Sequence, residues 1–274
     1  MPFTLPGKVY LVGAGPGSAK LLTLRALEIL RAAELVLHDD LVSDEVLAAV
    51  PAHVAVQSVG KRYGAKKNSQ EEIHSRMIAA ARSGWTVVRL KGGDPLVFAR
   101  TQEEIIALRE AHIEFEIVPG ITAATAAAAS AQIPLTERKG ASKLVFISNQ
   151  CCAGKNCLQI TRALAEDATL VFYMPGKELE ALQKQLSEVG LSPDLPCLLV
   201  SQVTRPQQKI IRTTLGGLTQ LPALAAPNLI LVGPTVEEAR ADESLCAAPL
   251  LTTQIESTQK RLLDLQDLSD AVRF

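Results

Sequence analysis

The sequence predicts an α/β protein made of two α/β domains and a tail, with divisions expected at 1–119, 120–234 and 235–274. Three observations carry that expectation. The chain has 274 residues, which at roughly 150 residues per domain suits two cores. Apolar runs rich in β-branched residues alternate with stretches of helical period along most of it. A Pro119-Gly120 break separates two such series.

The first series opens with a strand at 8–12 (KVYLV), a helical pattern over 21–31 and a strand at 34–38 (ELVLH). It continues through a strand at 54–58, a helix over 69–82, a strand at 86–90, a helix over 101–111 and a strand at 115–118. This is the βαβ rhythm of a parallel sheet. The alanine-rich stretch 121–131 suits a helix packed closely on a neighbouring element, at the junction of the two domains. In the second series, strands are expected at 143–148, 169–174 and 198–203 with helices between them. A strand at 209–214 then returns through Arg205-Pro206 as a hairpin would, and 228–232 is the last strand. From 235 onward the chain is polar and mixed, with one amphipathic piece near 255–265.

Hydrophobic residues at 47% and charged residues at 21% exclude disorder for most of the chain. Twenty-eight Lys and Arg against 29 Asp and Glu leave a formal charge of -1, so no global positive field recruits nucleic acid. The start, MPFTLPGKVYLVG, lacks the basic opening and apolar run of a signal peptide, and no later run approaches the ~18 apolar residues of a membrane span. A cytoplasmic location is expected. Five Cys, with Cys151, Cys152 and Cys157 close together, make neither a disulfide framework nor a common zinc spacing, so a reduced loop and no metal are expected.

Two glycine-rich loops carry the chemistry. Gly13-Ala14-Gly15-Pro16-Gly17 follows the first strand, where a backbone without β-carbons lets a ligand approach the sheet edge. It nearly matches a dinucleotide fingerprint, and Asp39 lies at the right distance to reach a ribose. Ser18 stands at the third glycine position, however, and Pro16 removes an N–H. Lys91-Gly92-Gly93-Asp94-Pro95 follows another strand, where Asp94 suits a ribose hydroxyl or an amine, or simply good turn chemistry.

The succession VYLVGAGPG, LLTLRALEIL, DLVSDEVL, VGKR, VVRLKGGDPLVFAR, VPGITAA and IPLTERKG, in that order, resembles the tetrapyrrole methylases. Within them it is most similar to the S-adenosylmethionine-dependent uroporphyrinogen-III C-methyltransferases. The resemblance implies two α/β domains with the active site in the cleft between them, and methylation of uroporphyrinogen III at C2 and C7 to precorrin-2 for siroheme and cobalamin. It implies that Pro16, Gly92, Gly93, Asp94, Val97, Thr122, Ala123, Met174 and Val203 surround S-adenosylmethionine, with S-adenosylhomocysteine as product. Asp39 is then the expected base and Lys61, in VGKR, the expected proton donor, because a pyrrole that attacks the sulfonium methyl becomes cationic and must then lose a proton. Arg100 and Arg138 are expected to meet a carboxylate-rich substrate. Glu103, three residues past Arg100, is a candidate for proton handling or for orienting that guanidinium. A homodimer is implied as well.

Some residues depart from the family's pattern. Ala99, Thr101 and Gln102 replace the glycines of FGRGGEE, Glu137 replaces the histidine of IPLTHR, and Ser148-Asn149-Gln150 replaces a TGH-like strand end. Thr101 and Gln102 are expected to place side chains where a macrocycle lies, and Glu137 and Asp40 to bring negative charge near a polyanion. Alternative readings are a methylase of a later corrin precursor, a ribosomal RNA ribose methylase of the same fold, a nicotinamide dehydrogenase and a non-catalytic sensor.

Overall fold

Two five-stranded sheets order this protein in a computed structural model that describes residues 7–60, 69–149, 160–176, 179–222 and 224–239. The first sheet comprises β1 (Val9–Gly13), β2 (Leu35–His38), β3 (Ala55–Ser58), β4 (Val87–Lys91) and β5 (Phe115–Val118), in the order β3-β2-β4-β1-β5. All four pairings are parallel. Strand alternation splits its side chains between two cores: Val12, Val36, Val88 and Leu90 face α1 (Leu24–Ala32), and Val9, Leu11, Leu35, Leu37 and Val87 face α3 (Gln70–Arg82) and α4 (Thr101–Glu110).

Caps set several helix starts. Thr23 accepts the Ala26 N–H at 3.1 Å, so α1 begins later than its apolar pattern, and 19–21 form a 3-10 turn. A Ser69–Glu72 capping box opens α3. The short α2 (Asp44–Leu47), capped by Ser43, lies where no helix is expected from periodicity.

The second sheet contains β6 (Lys143–Ser148), β7 (Ala168–Tyr173), β8 (Pro196–Ser201), β9 (Lys209–Thr214) and β10 (Asn228–Val232), in the order β6-β7-β10-β8-β9. Only β6 and β7 run parallel; β8 and β9 form the expected antiparallel pair, and β10 inserts antiparallel between β7 and β8. The alanines of α5 (Ala123–Ser130) pack on Val171, Leu198, Val200 and Leu231 of this sheet, their small side chains permitting close approach. On the other face lie Leu182 and Leu186 of α7 (Leu179–Glu188). The short α6 (Arg162–Ala165) leads into β7.

The two halves meet along the glycine loops. Phe98 sets its ring 5.1 Å from that of Tyr173, and the Ser18 N–H donates to Thr204 Oγ1 at 3.1 Å. No described helix is long and apolar enough to cross a membrane. Cys197 is buried in β8, which pushes its thiol pKa up. Lys61, the Cys151-Cys152-Cys157 group and the expected tail piece at 255–265 lie outside the described residues.

Candidate active site

In the first sheet the chain leaves β1 toward β2 on one side and leaves β4 toward β5 on the other, so the strand order reverses between neighbours β1 and β4. Ligands of open α/β sheets bind beyond the carboxyl ends of strands at such a point. Both glycine loops lie there. They bound a cavity of about 280 Å³ whose wall includes Pro16, Asp39, Arg89 and Lys91 and, from the second half, Tyr173, Met174, Val203 and Arg205. A larger hollow of about 610 Å³ lies between α7 and residues 218–222 and contains neither loop.

The loops are stitched to each other. The Gly15 N–H donates to Gly93 O at 3.1 Å, the Gly93 N–H returns to Gly15 O at 2.8 Å, and the Ala14 N–H donates to Lys91 O at 2.8 Å. The amides that a dinucleotide fingerprint turns toward a pyrophosphate are therefore already bonded to protein, beyond the loss at Pro16. Gly93, at φ +71°, has no atom within 4 Å of where a β-carbon would sit, so its side of the wall is open space. Asp94 braces the loops: Oδ1 accepts from Leu96 N–H at 2.7 Å and Oδ2 from Gly120 N–H at 2.9 Å.

Beneath this wall is a charged cluster. Arg89 and Lys91 are two apart on β4 and so share a face, against which α4 turns Thr101, Glu104 and Leu108 inward. Arg89 Nε and Lys91 Nζ each donate to Glu104 at 2.8 Å, on different oxygens, and Arg89 Nη2 donates to Asp39 Oδ1. Side chains of Arg89 and Glu104 are 3% and 1% exposed, while Asp39 is 30% exposed and lines the cavity. Burial works against the charge on Arg89, yet Asp39 and Glu104 outweigh it and hold its pKa above the usual guanidinium value. Lys91 is pulled down instead, by burial first and then by repulsion from Arg89. Asp39 is thus oriented through one oxygen.

All nine residues expected around the cofactor line this one cavity: Pro16, Gly92, Gly93, Asp94, Val97, Thr122, Ala123, Met174 and Val203. Asp39 and Arg100 line it too. Glu103 does not; it grips Arg100 Nε and Nη2 at 2.8 and 2.7 Å in an exposed i,i+3 pair, the orienting arrangement weighed for it. Arg138 is exposed in the turn before β6 and is not brought to the cavity. Asp40 departs from the expectation of charge near the ligand, since it turns away to Ser58 Oγ at 3.4 Å. Glu137 is likewise exposed outside the lining.

Thr101 and Gln102 correct a further expectation. Arg100 adopts a left-handed conformation at φ 55°, which swings Thr101 under the loop, where its Oγ1 donates to Pro95 O. Gln102 points to solvent, so neither side chain narrows the cavity, although Ala99 lines it. Positive φ also recurs at Phe98, Met174, Gln202 and Thr204 around the same cleft, and a β-branched residue such as Thr204 adopts it only under constraint.

Sequence reasoning missed Arg89, Lys91, Glu104, Tyr173 and Arg205. The alternation in VVRLK was a usable signal: two cations on one face of an apolar central strand require a carboxylate opposite. Tyr173 accepts the Ala124 N–H at 3.2 Å and shares a 2.7 Å hydrogen bond with Thr122, tying β7 to α5. Burial raises its pKa.

Residues 8–219 match the family model of the tetrapyrrole (corrin/porphyrin) methylases. A uroporphyrinogen-III C-methyltransferase of Paracoccus denitrificans is 44% identical over 232 residues, covering 83% of this chain and 80% of that protein. Siroheme synthase 1 of Halorhodospira halophila is 42% identical over 234 residues, covering 84% of this chain and 48% of its own length, so the chain spans about half of the siroheme synthase it matches. A uroporphyrin-III C-methyltransferase of Thermus thermophilus, solved with S-adenosylhomocysteine, superposes with a TM-score of 0.72 at 35% identity, covering 84% of this chain and 99% of that one. With the order of its motifs, its two sheets and these matches in agreement, the chain belongs to the tetrapyrrole methylases.

Proposed function

We propose that this protein is an S-adenosylmethionine-dependent C-methyltransferase that converts uroporphyrinogen III to precorrin-2 by methylation at C2 and C7, on the route to siroheme and cobalamin. The observation that carries the reading is the single cavity where two glycine loops, a partly exposed Asp39 and a guanidinium rim converge. Identity of 44% to a relative of that name supports it.

S-adenosylmethionine fits this cavity: Gly93 leaves open space at its wall that a side chain there would fill. Pro16, Gly92, Gly93, Asp94, Val97, Thr122, Ala123, Met174 and Val203 would hold it. When bound it supplies a methyl group on an electrophilic sulfonium. In this reading Asp39, held by Arg89 through Oδ1, takes the proton that the macrocycle, left cationic when its ring carbon attacks the sulfonium methyl and S-adenosylhomocysteine departs, then sheds. Arg100, locked by Glu103, offers its guanidinium to substrate carboxylates at the cavity rim. Lys61 is the proposed proton donor. Residues 1–119 and 120–234 are taken as the two domains, acting in the cytoplasm as a homodimer on a small molecule, and the charge of -1 supports the exclusion of nucleic acid.

Incubation with uroporphyrinogen III and labelled S-adenosylmethionine under anaerobic conditions tests the activity. The expected product carries two added methyl groups; methylation of a later corrin precursor alone would replace this reading by its nearest rival. Calorimetry is expected to show binding of S-adenosylhomocysteine and none of NAD, because the amides of the first glycine loop are already bonded. Arg100→Ala is expected to weaken uroporphyrinogen III binding by roughly 10-fold or more while S-adenosylhomocysteine affinity and melting temperature barely move, since its pair with Glu103 is exposed. Arg138→Ala, titrated in parallel, tests whether that exposed residue reaches the substrate at all.

A further inference from the structure

Among the described residues, four cations line the cavity: Arg89, Lys91, Arg100 and Arg205. Carboxylates already neutralise the first three, through Asp39 and Glu104 below and Glu103 at the rim. Arg205 makes no ion pair with any described residue, and Asp44 exerts only a through-space pull on it. Its Nη2 donates to Leu41 O at 2.5 Å, but its Nε–H is buried without a hydrogen-bond partner among the described residues. A half-buried guanidinium left so poorly matched is costly unless an anion completes it.

The fold goes to some length to hold it there. Arg205 follows β8 in the second half, yet its side chain crosses to the first. Gln202 and Thr204 before it take positive φ of 47° and 61°. Thr204 is fixed from two sides, its N–H donating to Gln208 Oε1 at 2.6 Å and its Oγ1 accepting the Ser18 N–H at 3.1 Å. The aliphatic stem runs over Gly17, where a β-carbon would lie 2.7 Å from Arg205 Cγ. Glycine at that position is what lets the stem pass.

We propose that Arg205 is a carboxylate-binding residue of the active site, taking either the amino-acid carboxylate of the S-adenosyl donor or an acetate or propionate of the tetrapyrrole. The proposal rests on the reading of the cavity given above. Burial also pulls the pKa of this guanidinium down, against a weaker opposing pull from Asp44.

Calorimetry of the whole chain and of Arg205→Gln decides it, with S-adenosylhomocysteine, 5′-methylthioadenosine and uroporphyrinogen III as probes under anaerobic conditions. Methylthioadenosine keeps the nucleoside but lacks the amino-acid carboxylate. Arg205→Gln is expected to lose roughly 10- to 100-fold in affinity for one carboxylate ligand and nothing for methylthioadenosine. Loss for S-adenosylhomocysteine alone assigns the carboxylate to the donor; loss for uroporphyrinogen III alone assigns it to the substrate. Should the Gln variant fail to fold, Arg205→Lys carries the same comparison, its unforked head costing several-fold in the carboxylate ligand only. Unchanged affinity for both carboxylate ligands overturns the proposal. So does an equal loss for methylthioadenosine and S-adenosylhomocysteine, which would make Arg205 a latch between the two halves. A parent chain that binds none of the probes would overturn the functional reading itself, and the proposal with it.

Discussion

Asp39→Asn is expected to lower turnover of uroporphyrinogen III by roughly 100-fold or more, the scale of losing a general base, while cofactor binding and fold persist. An amide cannot accept the proton, but it can still accept a hydrogen bond from Arg89, which also keeps Glu104 and the carbonyls of Leu37 and Leu90 as partners. The melting temperature therefore moves little while the rate collapses. Asp40→Asn is the internal control: its carboxylate faces Ser58 and solvent, so the parental rate is expected. Initial rates of labelled methyl transfer at saturating substrate give the answer. An Asp39→Asn enzyme as fast as the parent would move the base to another group.

Glu104→Gln has the largest expected effect on stability. The carboxylate accepts from Arg89 through one oxygen and from Lys91 through the other, at 2.8 Å each, in a site with 1% exposure. A glutamine can serve one of them; its amide N–H then meets the other donor. Leaving a buried cation uncompensated costs about 3–5 kcal/mol, a fall in melting temperature on the order of 10 °C. The loss depends on pH with a defined sign. Lys91, already held below its usual 10.5 by burial and Arg89, loses the carboxylate that favours its charge, whereas the unfolded chain keeps the proton. The unfolded state then binds more protons, so stability of the variant rises as the pH climbs toward the usual lysine value of 10.5. Glu103→Gln, one residue earlier but 43% exposed, is expected to change melting hardly at all. Thermal denaturation of both variants across pH checks this, and equal small effects would mean that the cluster is hydrated rather than buried.

The sequence by itself determined most of the elements and the loops that bound the candidate site. Strands at Phe115–Val118, Lys143–Ser148, Lys209–Thr214 and Asn228–Val232 were legible to the residue because apolar period and turn residues act over neighbouring positions. Both glycine loops could be placed at strand ends, and the motifs named residues that the structure gathers with Asp39 around one cavity. Only the tertiary structure decided the mixed direction of the second sheet, the inward turn of Thr101, the divergence of Asp39 from Asp40 and the cluster around Glu104. It also decided that Arg205 reaches Leu41 across 164 residues of sequence, as Arg89 reaches Asp39 across 50. The physical reason is the range of the signal. Periodicity sets which way a side chain points from its own strand or helix, but what it meets there depends on strand order and on how two sheets dock, and no local pattern encodes either.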